Sequence, residues 1–202
     1  MARFRPEPAS EGTVSFLGYQ ECGILDFTDQ SGKYDWADVY IKTSLSMKDS
    51  KFPIDHQIAG SWNKDVNGNI EKSTLLNSIY YLLDALGYEG GPNKSGQWED
   101  PDGKEIDIVK ELNRLYGHDN PLTDPKNSFL VYVYKQFNEK DGKAYTRVAN
   151  KIVKNNAAGK ADLESWVTYM KSKGYLKEHK GDWKKRPETQ TSNQSSTMET
   201  SF

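Results

Sequence analysis

The sequence predicts a mainly β, α+β domain in which short strands come first, a helical insert follows, and a two-strand hairpin and a helix close the chain. Three observations carry this expectation. Residues 36–45 alternate, with Ala37, Val39, Ile41 and Leu45 on one face and Trp36, Asp38, Tyr40 and Lys42 on the other. Leu75, Leu76, Ile79, Leu82, Leu83 and Leu86 recur at helical spacing. Residues 129–137 alternate again, and Lys140-Asp141-Gly142 joins them to a second alternating run at 143–154, the turn chemistry of a β-hairpin.

The elements follow in order. Residues 13–17 and 23–27 read as short strands, and 56–62 as a further strand that leads to an Asn67-Gly68 turn. Ser73 suits the N-cap of the Leu-rich helix and Gly87 its stop. A second helix is expected over 104–116, with Ile108, Val109, Leu112, Leu115 and Tyr116 on its apolar face, and Gly90 to Gly96 between the two reads as loop. The last helix is expected over 162–173, with Leu163, Trp166, Val167 and Met170 inward and Gly174 after its end. A five-stranded OB barrel has a helix between its third and fourth strands, and this order is compatible with that arrangement (helical insert about 73–117). It is also compatible with a generic α+β sheet, and the OB-like barrel is the preferred reading.

The chain has 202 residues, enough for one medium domain. Residues 13–186 are read as one OB-like domain, residues 1–12 as a flexible arm, and the polar stretch 187–202 as a disordered tail that cannot offset its ordering entropy by burial. No run approaches the ~20 apolar residues of a membrane span. The amino terminus lacks an apolar signal core. One cysteine, Cys22, leaves no disulfide framework, so a reducing cytoplasm is expected. The formal net charge of −2 hides an asymmetry: residues 1–128 hold 13 Lys/Arg against 21 Asp/Glu, whereas residues 129–186 hold 14 against 6. A basic segment of that kind points to a polyanionic partner.

Catalytic and metal chemistry find little support. Residues 63–74 imitate a calcium loop at positions 1, 3, 5 and 6, but Thr74 stands where a bidentate Glu completes the oxygen shell. Asp100, Asp102, Glu105 and Asp107 could hold magnesium in a nuclease, but Asp100-Pro101-Asp102-Gly103 reads better as a turn before a helix. His56, His118 and His179 lack ligand spacing, and Lys94-Ser95 lacks the glycine pattern of a phosphate loop. No catalytic residue, metal or cofactor is assigned.

The aromatic content, 12 Tyr and 5 Trp in a polar chain, converges on the hairpin. With Val131, Val133, Val148 and Ile152 inward, Tyr132, Tyr134, Tyr145, Arg147 and Lys151 share the opposite face. Rings that stack bases beside cations that follow phosphates are what single-stranded nucleic acid requires. Trp36, Tyr40 and Lys42 extend this platform, and Lys135, Lys143 and Lys154 add basic charge along the hairpin. Cross-strand tyrosines also stabilise sheets, which is the competing explanation.

On Gly23-Ile24-Leu25-Asp26-Phe27, Trp36-Ala37-Asp38-Val39, and Asp141-Gly142-Lys143 leading into Tyr145-Thr146-Arg147-Val148, the chain resembles the single-stranded DNA-binding proteins encoded by bacteriophages. The resemblance implies an OB fold, a role in coating replication or recombination intermediates in the host cytoplasm, and recruitment of partner proteins through a tail ending in an aromatic. Here the tail ends in Ser201-Phe202 and carries Glu188 and Glu199, two acidic residues where many are usual. A magnesium-dependent nuclease and a protein-interaction module stand as the rival functions.

Overall fold

The computed structural model describes residues 17–179 apart from 49 and 51. The expected arm, the tail with Phe202, and residues 13–16 of the first expected strand lie outside them. Strand β1 (Gly18–Asp29) is a single strand of 12 residues, longer than the pattern at 23–27 suggests. Its polar first half is held in the sheet by its neighbour rather than by its own periodicity. Strand β2 (Val39–Met47) keeps the expected phase, with Val39, Ile41, Leu45 and Met47 buried. Strand β3 (Ile54–Gly60) begins two residues earlier than expected.

Helix α1 (Thr74–Leu86) is capped as its sequence demands. The Leu76 N–H donates to Ser73 Oγ at 3.1 Å, and Gly87 takes the left-handed conformation at φ 70°. Two short strands, β4 (Gly91–Pro92) and β5 (Trp98–Glu99), form a small ribbon before helix α2 (Ile108–Tyr116), which Asp107 caps through the Lys110 N–H. Gly96, at φ 94°, lies so near Trp62 that a Cβ would come within 2.9 Å of the indole nitrogen, so only glycine fits there. Strands β6 (Phe129–Asn138) and β7 (Lys143–Lys154) make the expected hairpin, with Gly142 at φ 67°. Helix α3 (Ala157–Ser172) starts five residues before the expected position, because Asn156 accepts from the Gly159 N–H at 2.8 Å and caps it.

The five long strands form one antiparallel sheet in the order β3-β2-β1-β6-β7. A register shift between Ile24 and Asp26 lets β1 bend, so that its first half pairs with β6 and its second with β2. The two outer strands, β3 and β7, come alongside each other, but the sheet is not closed into a barrel. The physical reason is local: Val131 pairs with Ile152 and Val133 with Val148, so three β7 residues face the single Tyr132. At that bulge the Asn150 carbonyl accepts from His56 Nε2 at 3.3 Å in place of a strand ladder. His56 is fully buried and its Nδ1 has no partner.

The main core lies between the sheet's inner face and helices α1 and α2, and includes Phe129, Val131, Val133 and Ile152, as the valine-inward reading requires. A second core covers the opposite face of the hairpin: Leu163, Val167 and Leu176, from α3 and the segment after it, bury Tyr132, Ala149 and Val153. The expectation of an exposed Tyr132 is therefore overturned. Its ring meets the edge of Tyr19 at 4.9 Å, and its hydroxyl donates to Glu178 and accepts from Lys171 Nζ at 2.6 Å.

Replacing Tyr132 by alanine should destabilise the fold by about 3–5 kcal/mol, as for other large buried aromatics, and Tyr132→Phe by about 1 kcal/mol; urea unfolding midpoints distinguish the two. Burial pushes His56 from its ordinary 6.5 down to about 4, so the folded protein holds it neutral. The unfolded chain takes up this proton first. The contribution of the neutral ring is thus complete above pH 6.5 and lost as pH falls towards 4, about 3 kcal/mol in all. His56→Leu should flatten this acid limb, read as a smaller loss of urea midpoint between pH 7 and pH 4.5.

Candidate nucleic-acid interface

Two clusters of the expected residues remain on the surface, at opposite ends of the sheet. The first is built by the loop between β1 and β2. Asp29 accepts from the Ser31 N–H, Ser31 Oγ accepts from the Tyr40 N–H, and the Gln30 N–H donates to the Tyr40 carbonyl, each at 2.8 Å. Ser61 Oγ donates to the Trp36 carbonyl at 2.7 Å, and Asp38 accepts from the Trp62 N–H. Anchored on both sides, this loop presents Tyr34, Trp36 and Tyr40 as one group, with ring centroids 5.4–6.1 Å apart. Trp36 is 57% exposed and Tyr34 44%. Tyr34 was absent from the expected set. Its spacing two residues before Trp36 and six before Tyr40 is the signal that could have found it, because the loop folds back onto the first residues of β2.

Lys42 is the next outward residue of β2 after Tyr40 and pairs with Asp55 of β3 at 3.0 Å. An exposed pair of this kind is worth about 0–1 kcal/mol, so a phosphate can take Asp55's place at little cost.

The second cluster lies towards the hairpin tip. Tyr134 and Arg147 face each other across the ladder, and the Arg147 guanidinium lies 5.9 Å from the Tyr145 ring centroid. Tyr145 donates its hydroxyl to Asp141 at 2.5 Å, which pushes the phenol pKa up and the carboxyl pKa down. Tyr134, expected on the open face, is half-buried against the second core, and burial pushes its pKa up as well. A cavity of about 520 Å³ between β3 and β7 has Asp55, Gln57, Tyr134, Arg147 and Asn150 in its walls, so the outward residues of β3 connect Lys42 to Arg147.

Lys151, Lys154 and Lys135 do not join this surface, whereas Lys143 stays beside the second cluster, its N–H donating to the Asp141 carboxylate that also holds Tyr145. Lys151 is buried, with Nζ 2.7 Å from Asp162 and 4.8 Å from the Tyr81 ring centroid. With Tyr132 it leaves the platform because α3 covers that face. Lys154 lies at the far end of β7, over the Phe129 ring and 3.4 Å from the Lys126 carbonyl, and burial pushes its pKa down. Lys135 is half-buried and its carbonyl accepts from the His179 N–H. Lys143 is exposed beside the turn.

Two of the acidic residues of the rival reading, Asp100 and Asp107, serve local structure. Asp100 accepts from the Asp102 and Lys104 N–H groups, which makes the expected turn, and Asp107 caps α2. Asp65 accepts from the Asn67 and Asn69 N–H groups in the same way. Among the described residues, no group of three His, Cys, Asp or Glu gathers around a common point to hold a metal ion, and no helix is long and apolar enough to cross a membrane. Cys22 is fully buried, and burial pushes its thiol pKa up.

No protein-family model matches the chain, and a search of curated proteins found no match. What this surface binds is therefore read from its geometry.

Proposed function

We propose that this chain is a non-enzymatic protein that binds single-stranded DNA with little base preference, on a surface that starts at Tyr34, Trp36 and Tyr40 and passes Lys42 towards Arg147. The observation that carries the reading is the anchored group of three rings, more than half of Trp36 lying open to solvent. Large rings normally gain about 25 cal/mol for every Å² of apolar surface they bury. Rings held exposed by hydrogen bonds on both flanks are ready to bury that surface against bases. Any base has a face that stacks, which makes such binding sequence-tolerant, and Lys42 and Arg147 supply charge for the phosphates.

An OB-fold reading accompanies this proposal. It is supported by the order of the five long strands, third-second-first-fourth-fifth, by a bent first strand shared between the two halves, and by α1 between the third and fourth. In the host cytoplasm, a phage-encoded protein of this kind would coat replication or recombination intermediates.

Titration with oligo-dT, followed by Trp fluorescence, should show binding that outcompetes duplex of equal length and weakens steeply with salt as condensed counterions are displaced. Trp36→Ala with Tyr40→Ala should cost about 1–3 kcal/mol per stacked base with an unchanged urea midpoint. Absence of binding at low salt would overturn the proposal, and magnesium-dependent degradation of the oligonucleotide would replace it with the nuclease.

A further inference from the structure

Three cavities adjoin one another around Asn150, two at the open edge between β3 and β7 and one between α1 and α3. The first, about 520 Å³, is the one walled by Tyr134 and Arg147. The second, about 490 Å³, shares Gln57 and Asn150 with the first and is bounded by Ser73, Thr74 and Ser78 at the start of α1. The third, about 440 Å³, shares Thr74, Ser78 and Asn150 with the second, lies between α1 and α3, and is lined by Tyr81, Trp166, Tyr169 and Tyr175. Asn150 lines all three, so they form one trough. The β7 bulge that keeps the sheet open also sets Asn150 at its centre.

We infer that the bound single strand leaves the Tyr40–Lys42 face at Gln57, follows this trough past Asn150, and stacks bases on Tyr169 and Tyr175 in the cleft between α1 and α3. The inference rests on the single-strand reading above and adds a second stacking site to it. Gln57 faces Lys42 in the β2–β3 ladder and also lines the first two cavities, so the two surfaces are continuous.

The chemistry of the cleft matches that of its entrance. Tyr175 is 70% exposed and Tyr169 54%. Both are held in place: Gly174, at φ 70°, ends the helix, and the Tyr175 N–H donates to the Met170 carbonyl at 2.9 Å. Trp166 stands edge-on to Tyr81 at 6.1 Å behind them. Lys173 Nζ lies 5.9 Å from the Tyr169 ring centroid, a cation beside a ring on which a base can stack. Between Arg147 at one end and Lys173 at the other, the middle of the trough offers hydroxyls and amides. Planar apolar bases joined by anionic linkers fit rings at the ends, cations beside them and hydrogen-bonding groups between. The second cavity also has Ile58, Ala59 and Leu75 in its walls, apolar contact for the faces of bases that pass between the rings.

The test compares wild type, Tyr169→Ala/Tyr175→Ala and Trp36→Ala/Tyr40→Ala in titrations with oligo-dT of about 16 nucleotides, the upper site size of one OB domain. A single-strand photo-crosslink with iododeoxyuridine is then mapped on the wild type. Expected are at least a five-fold loss of affinity for the Tyr169/Tyr175 variant, at an unchanged urea midpoint, and crosslinks at Tyr169 or Tyr175 as well as in residues 34–40. If wild type binds, the Trp36/Tyr40 variant is weakened, and the Tyr169/Tyr175 variant binds within two-fold of wild type with no crosslink in the cleft, the trough inference is overturned while the proposed function stands. That outcome would leave the cleft to a protein partner. If wild type does not bind oligo-dT, the proposed function itself is overturned. The crosslink on wild type decides the matter even if the double substitution disturbs α3.

Discussion

Opposite Tyr132, strand β7 carries Ala149, Asn150 and Lys151 where a regular ladder has room for one residue. Two extra residues preserve the alternation, so Val148 and Ile152 still face the main core while Ala149 and Val153 still face α3. The same insertion bends the strand and turns the Asn150 carbonyl to His56 rather than into a ladder with β3. The open edge, the trough beside it and the burial of a neutral histidine all follow from this one irregularity. His56 is the compromise at the centre of it, since one ring nitrogen is satisfied by Asn150 and the other is buried without a partner.

The second determinant is α3. Leu163, Val167 and Leu176 are buried against the outer face of the hairpin, at about 1.5–3 kcal/mol for each large apolar side chain. That is ample to convert the middle of an aromatic stripe into core. Tyr132 then has to satisfy its hydroxyl, which it does between Glu178 and Lys171, and Lys151 pairs with Asp162. Only the hairpin tip beyond α3 keeps Tyr145 and Arg147 on the surface. Four cations of the basic segment are thereby separated: Lys151 and Lys171 compensate carboxylates, Lys154 sits over Phe129, and Arg147 remains beside the open edge.

The aromatic surplus divides in the same way. Tyr19 and Tyr132 pack on each other, Trp62 lies against Trp98 across the loops around α1, and Trp166 meets Tyr81 between helices. Tyr34, Trp36, Tyr169 and Tyr175 are exposed in loops or at a helix end whose backbone is fixed by hydrogen bonds. Rings in the first group contribute to stability, and rings in the second are available to a ligand.

The sequence by itself determined the features that depend on near neighbours in the chain. These are the phase of β2, Ser73 and Gly87 at the ends of α1, the Asp100 and Asp141 turns, and the inward valines of the hairpin, because caps, turns and alternation act over two to five residues. The outward side of Tyr40 was legible for the same reason, as a position of the alternating run that becomes β2, whereas Trp36 is exposed by the turn that precedes the strand. Tertiary structure decided what each face meets. Whether Tyr132 and Lys151 look into solvent depends on where α3, a separate element further along the chain, packs. The length of β1 depends on pairing with β6, over 100 residues away. The open edge between β3 and β7 depends on a bulge that no periodicity announces, since adding two residues leaves every side chain on its own face.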